Sequence, residues 1–201
     1  MWTWFGGQEY GAALANVLLG VAEPGGRLPT TFPADAGSVP VLDTMPAADR
    51  RLPYDEGILV GYRNYDVNEI EPAFCFGHGL GYTAWEYESV FVKSPDPDGG
   101  LAARVRVTNT GDRSGREVVQ CYAEPISGAT GDAPRRLVGF AGVELPPGES
   151  AEVAVPLSRR ALSTYDSEHG WEPLSGAYRL SIGRSSRDLR LDAELEVARE
   201  M

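Results

Sequence analysis

The rhythm of apolar and polar positions changes near residue 85. Before that point one stretch is helical in period. Tyr10, Ala13, Leu14, Val17 and Leu18 recur at i, i+3, i+4, i+7 and i+8, which predicts a helix over residues 8–19 with one apolar stripe. Gly20 is placed to end that helix at the C′ position. Glu9 falls in its predicted first turn, where the helix dipole favours a carboxylate. Pro24-Gly25-Gly26 reads as a turn, and Arg27 to Phe32 as a short extended piece between breakers. Residues 34–84 carry few periodic segments. Within them Asp55 to Tyr65 is expected as a short strand or an extended arm. Phe74 to Tyr82 packs aromatics among three glycines. An irregular connection of this length usually wraps over a neighbour or carries function.

After residue 85 the period becomes two. Seven runs are expected as strands: Tyr87–Lys93, Ala102–Asn109, Glu117–Ala123, Leu137–Leu145, Ala151–Leu157, Ala177–Gly183 and Leu189–Val197. Turn signals at 95–100, 110–112, 146–148 and 175–176 separate them. Short strands at this spacing predict an antiparallel β-sandwich of the immunoglobulin or fibronectin III kind. Arg160 to Asp166 is expected as a helical turn between strands. The fold class is therefore mainly β: a C-terminal sandwich over 85–201, a connecting arm over 34–84, and a helix–strand piece over 1–33. That last piece cannot close a layered core by itself.

Composition adds exclusions. The 24 glycines and 15 prolines suit a turn-rich chain. No run approaches the 18 apolar residues of a membrane span. The start shows no basic segment followed by an apolar one, which makes the cytoplasm the default location. A net charge of −11 argues against nucleic acid as a partner. Two cysteines, Cys75 and Cys121, and two histidines, His78 and His169, supply neither a disulfide framework nor a zinc set, and no GxSxG occurs for a serine nucleophile. No cofactor or metal is expected.

The residues then show a resemblance. Trp4-Phe-Gly-Gly-Gln-Glu-Tyr-Gly11 is similar to the W-x-P-G-Q-E-x-G stretch of glycoside hydrolase family 3. Leu18 to Pro33 resembles its L-x-G-x-x-x-P-x-G-R-L-P-x-T-F-P run, and Tyr54 to Arg63 its Y-x-E-G-I-x-V-G-Y-R segment. Phe76 to Thr83 is similar to F-G-x-G-L-S-Y-T, with Gly81 where serine is usual. Val107–Asp112, Val118–Tyr122, Leu137–Phe140 and Leu145–Ser150 resemble the family's fibronectin III-like domain. The resemblance implies an α/β sandwich remnant, an arm and a complete fibronectin-like domain. It also implies a parent activity of O-glycosyl hydrolysis, β-glucosidase-like, in carbohydrate metabolism.

The family's aspartate nucleophile and acid/base glutamate belong to parts upstream of the Trp-x-x-Gly-Gln-Glu motif. No catalytic, cofactor or metal residue is carried onto this chain, and the expectation is a C-terminal fragment inactive alone. It is expected either as a truncated product or as one that assembles with a separately encoded, barrel-containing N-terminal part. Self-association through residues 1–33 is the other expected partnership, and carbohydrate is a partner only of the intact enzyme. The alternative is a stand-alone fibronectin III-like module that binds protein or glycan.

Glycoside hydrolysis needs two carboxyl groups about 5–5.5 Å apart for retention or about 6.5–9.5 Å for inversion. Asp55-Glu56 and Glu69 with Glu71 are the densest acidic groups of the arm, and they read as solvated surface. Trp4, Tyr54, Tyr62 and Tyr65 are candidates for stacking on a sugar in an intact enzyme, with packing between arm and domains as the preferred reading. Phe74, Phe76 and Tyr82 are expected as core at the domain junction, Trp171 as sandwich core or a lid on it, and His169 as a surface turn residue.

Overall fold

The computed structural model describes residues 1–42, 44–93, 100–127, 135–173 and 175–197. Among the described residues nine strands form: β1 Trp85–Lys93, β2 Ala102–Asn109, β3 Gly115–Ser127, β4 Arg136–Leu145, β5 Ser150–Pro156, β6 Ser163–Asp166, β7 Gly170–Pro173, β8 Gly176–Gly183 and β9 Leu189–Val197. Seven of them make two antiparallel sheets, β1-β2-β5 and β4-β3-β8-β9. Their inner faces meet in one core. Val105, Val107 and Val155 come from the first sheet, and Val119, Cys121, Leu180 and Ile182 from the second, all fully buried. Period-two alternation of β-branched side chains is what lets both sheets bury one face and wet the other. The mainly β class with a fibronectin-like sandwich holds. The predicted turn at 95–100 lies outside the described residues apart from Gly100.

Three local expectations are corrected. The helical turn is only Arg160–Leu162, a 3₁₀ turn; from Ser163 the chain extends into β6, which pairs with β7 as a separate two-stranded hairpin. Runs of four residues around a tight turn are too short for periodicity to reveal. Asp55 to Tyr65 is neither strand nor extended arm: it turns at 55–58 and enters helix α2, Tyr62–Val67, from Gly61. Packing overrides β-propensity there, because Tyr65 and Asn64 are buried. The first helix, α1, spans Tyr10–Leu18, so Glu9 is its N-cap residue rather than part of its first turn, and its carboxylate makes no cap bond.

The end of α1 follows expectation closely. Gly20 takes φ +73°, its N–H reaches the Val17 carbonyl at 3.0 Å, and the Val21 N–H reaches Asn16 at 2.8 Å. That is the paired bonding of a Schellman motif, which needs a left-handed residue. The extended piece after it is a single bridge, Phe32 to Phe74. No described helix is long and apolar enough to cross a membrane.

Candidate functional site

The first 84 residues are strapped to the sandwich by charge and hydrogen bonds rather than by a core. Glu117, at the start of β3, is fully buried. It takes Arg27 Nη2 at 2.6 Å on one oxygen and Arg184 Nε at 2.8 Å on the other, and the Val118 N–H donates to it at 2.8 Å. Arg27 comes from the strap and Arg184 from the turn after β8, so one carboxylate clamps three segments. A buried pair of this kind is close to neutral against an apolar replacement, but removing one member strands the others, at a cost of about 3–5 kcal/mol.

A second clamp repeats the pattern with the carboxylate on the strap and both arginines on the sandwich. Asp66 of α2 receives Arg135 Nη2 at 2.7 Å and Arg187 Nε at 3.2 Å. Arg187 also donates to the Tyr65 and Ile70 carbonyls, which pins the C-terminal end of α2. Tyr62 stacks on Phe76 with ring centres 4.9 Å apart, and its hydroxyl accepts the Leu137 N–H at 2.8 Å. Gly77 follows at φ +79°, where a Cβ would lie 2.1 Å from Gln120 Oε1; Gln120 Nε2 donates to its carbonyl at 3.1 Å. Glu23 accepts the Tyr82 N–H at 3.0 Å, and Arg113 donates to the Gly20 carbonyl.

Burial raises the Tyr87 and Tyr122 hydroxyls above the ordinary tyrosine range and pushes the Cys121 thiol up to about 12. Cys75 and Cys121 are free thiols, and the Cys75 thiol donates to Ser185 Oγ at 3.3 Å.

The sequence-predicted aromatics divide. Tyr62 and Tyr65 pack against the sandwich, as preferred. Trp4 and Tyr54 are exposed, 57% and 77%. Phe74 and Tyr82 are also exposed rather than junction core, and Phe76 is half-buried against Tyr62. Trp171 is 51% exposed on β7 and is not sandwich core, because its hairpin stands apart from both sheets. His169 is an exposed turn residue that meets Asp166 Oδ1 at 2.9 Å. Asp55, Glu69 and Glu71 are exposed and Glu56 is half-exposed, as surface acids should be. The clamp residues Arg27, Glu117, Arg184, Asp66, Arg135 and Arg187 were not singled out from the sequence. Only Arg27, inside its Gly-Arg-Leu-Pro motif, carried a signal.

What remains uncovered is concentrated. Of the 24 large apolar side chains exposed among the described residues, 19 lie in residues 1–82, and of the 23 buried apolar residues only Tyr65 does. The stripe of α1 is open, with Leu18 61% exposed and no residue of the helix buried. Trp2 contacts Phe32 and Trp4 edge-on, at 5.0 and 5.7 Å between ring centres, in an aromatic row along the same part of the chain.

Comparison with known proteins accounts for this distribution. Residues 1–82 match the glycosyl hydrolase family 3 C-terminal domain, and residues 117–186 match the fibronectin type III-like domain. Thermostable β-glucosidase B of Acetivibrio thermocellus is 40% identical over 96% of this chain and 26% of its own length. A β-glucosidase of Rhizobium radiobacter is 38% identical, again over 96% of this chain. Among solved structures, β-glucosidase 3B of Thermotoga neapolitana, in complex with α-D-glucose, superposes with a TM-score of 0.84 at 38% identity, over 97% of this chain and 27% of that one. The chain spans about a quarter of the length of the curated relatives it matches.

Proposed function

Because the chain belongs to glycoside hydrolase family 3 and corresponds to the C-terminal part of its β-glucosidases, we propose that it serves as the C-terminal part of an enzyme that hydrolyses O-glycosyl bonds, β-glucosidase-like. In this reading residues 1–33 complete an α/β sandwich domain, residues 34–84 are the connecting arm, and residues 85–201 brace it. The nucleophile and the acid/base come from the barrel-containing part that docks on residues 1–82. One observation carries the reading: the uncovered apolar surface falls almost wholly within the stretch that matches the enzyme's own domain. A surface of this extent marks an interaction site.

The chain's own acids fit a supporting role. Glu117 and Asp66 are each held between two arginines and closed off from a substrate, with side-chain exposures of 0% and 8%. A stand-alone module has less behind it, because a sandwich that acted alone would not need 82 residues of exposed apolar strap.

The test is reconstitution. The purified chain is assayed on an aryl β-glucoside alone and after mixing with the complementary N-terminal part of β-glucosidase 3B from Thermotoga neapolitana. The expected result is no turnover from either part and turnover from the mixture. Enzyme-like rates from the chain alone would overturn the reading, as would a stable complex that stays inactive.

A further inference from the structure

The β6–β7 hairpin carries features that neither the sandwich core nor the strap uses. Tyr165 and Trp171 are a cross-strand pair on its exposed face, with ring centres 5.4 Å apart at 64°. Both are more than half exposed. Outside residues 1–82, Phe140 alone shares this exposure among the described large apolar side chains. Arg160, from the 3₁₀ turn, lies over the Trp171 ring at 4.3 Å. A guanidinium stacked on an indole keeps its in-plane N–H donors unspent.

Beside these groups an open cleft of about 360 Å³ is lined by Arg159, Arg160, Ser163, Trp171 and Pro173. Its charge is out of keeping with the molecule. In a chain of net charge −11, Arg159 and Arg160 stand together and exposed, and neither has an ion-pair partner among the described residues. Six of the ten other described arginines in residues 85–201 are ion-paired: Arg104 on Glu152, Arg106 on Glu88, Arg135 and Arg187 on Asp66, Arg184 on Glu117 and Arg190 on Asp188. The Ser163 hydroxyl gives its proton to the Arg159 carbonyl at 2.8 Å, which leaves its oxygen as an acceptor toward the cleft side of the turn.

We propose that this cleft is a saccharide site for a pyranose bearing a carboxylate. The carboxylate pairs with the two free guanidiniums, whose planar donor forks match its geometry. The C–H face of the ring lies against Pro173 and the part of the Trp171 indole that Arg160 and Tyr165 leave open, burying apolar area that water otherwise covers. A ring hydroxyl donates to Ser163. Two cationic side chains without a counter-charge make an acidic sugar the better match than a neutral one. The cleft has room for a single residue of a glycan, at the small end of ligand sites in general.

The experiment uses the full chain, ¹⁵N-labelled. Its four tryptophans give separate indole N–H resonances, and Trp171→Phe identifies one of them. Glucuronate is titrated in, with acetate and glucose as controls. The expected result is a saturable shift of the Trp171 indole and of the Arg160 and Ser163 amides. The shift should be at least tenfold weaker in affinity for glucose and for acetate, and lost in an Arg159→Ala/Arg160→Ala variant. Trp171→Ala should lose the amide shifts and Trp171→Phe should keep them. All three residues are exposed or half-exposed, so the rest of the spectrum should superpose and report an intact fold. Acetate matching glucuronate would mean a bare anion site, and glucose matching it a neutral one; either result, or an unmoved spectrum, overturns the proposal. So does binding that survives loss of both arginines.

Discussion

Two regions of one chain use opposite means of staying together. The sandwich is held by alternation: its inner valines, leucines and isoleucines are removed from water and its outer positions are charged. The strap of residues 1–84 has almost no interior. It is fastened at separate points by Glu117, Asp66, Glu23 and Tyr62, and it turns its apolar side chains outward. Burial is non-directional and roughly proportional to area, so it stabilises a closed body wherever that body is. Ionic clamps are directional and fix one segment against another at a chosen place. A region that leaves its apolar face open has only the second means available for its own attachment.

The largest expected effect breaks the comparison where the regions meet. Glu117→Ala leaves Arg27 and Arg184 without their carboxylate, and it should cost about 3–5 kcal/mol in chemical denaturation. It should also free residues 20–30 to proteolysis, whereas a loss confined to the sandwich would leave the strap protected until global unfolding. Next, Ile182→Ala removes fully buried side-chain volume between the sheets. It should cost about 2–5 kcal/mol by the same measurement, without selective release of the strap.

Cys121 provides a pH-dependent probe of the same core. Its thiol is held protonated in the fold up to about pH 12, against an ordinary value of 9.0. Its contribution to stability is therefore complete below about pH 9, where both folded and unfolded thiols are protonated. It declines as pH rises from about 9 toward 12, because only the unfolded chain then releases the proton. A thiol reagent at pH 8 should leave Cys121 unmodified until denaturant is added.

The smallest effect on stability should come from the strap. Leu18→Glu with Leu19→Glu alters side chains 61% and 79% exposed. It should change unfolding free energy by no more than about 0.5 kcal/mol per site. The same change should abolish reconstitution of activity, since in the proposed reading those side chains belong to the surface on which the barrel-containing part docks.

The sandwich was legible because period two is a strong local signal and its strands are long enough to show it. Residues such as Val105 and Val107, or Val153 and Val155, announce their shared face within a few positions. The β6–β7 hairpin was not legible, because four-residue strands leave no periodicity to read and Trp171 looks like core by composition alone. Helix α2 was missed for a different reason. Its sequence favours an extended chain, and what makes it helical is the tertiary company of Tyr65, Asp66 and the arginines that hold them. The clamps were the least legible part. A salt bridge between Arg27 and Glu117 spans 90 residues, and neither residue has a neighbour in sequence that hints at the other.

That separation has a consequence for synthesis. Arg27 leaves the ribosome long before Glu117 exists, and Glu117 before Arg184. The strap's ionic fasteners on the sandwich become available only once β3 and β8 have paired, while its apolar side chains face outward even in the folded structure. The carboxylate in the middle of the chain thus sets the order of events: sandwich first, strap second. Some 90 residues are made between Arg27 and Glu117, so the strap is fastened only after the strand that carries its carboxylate exists.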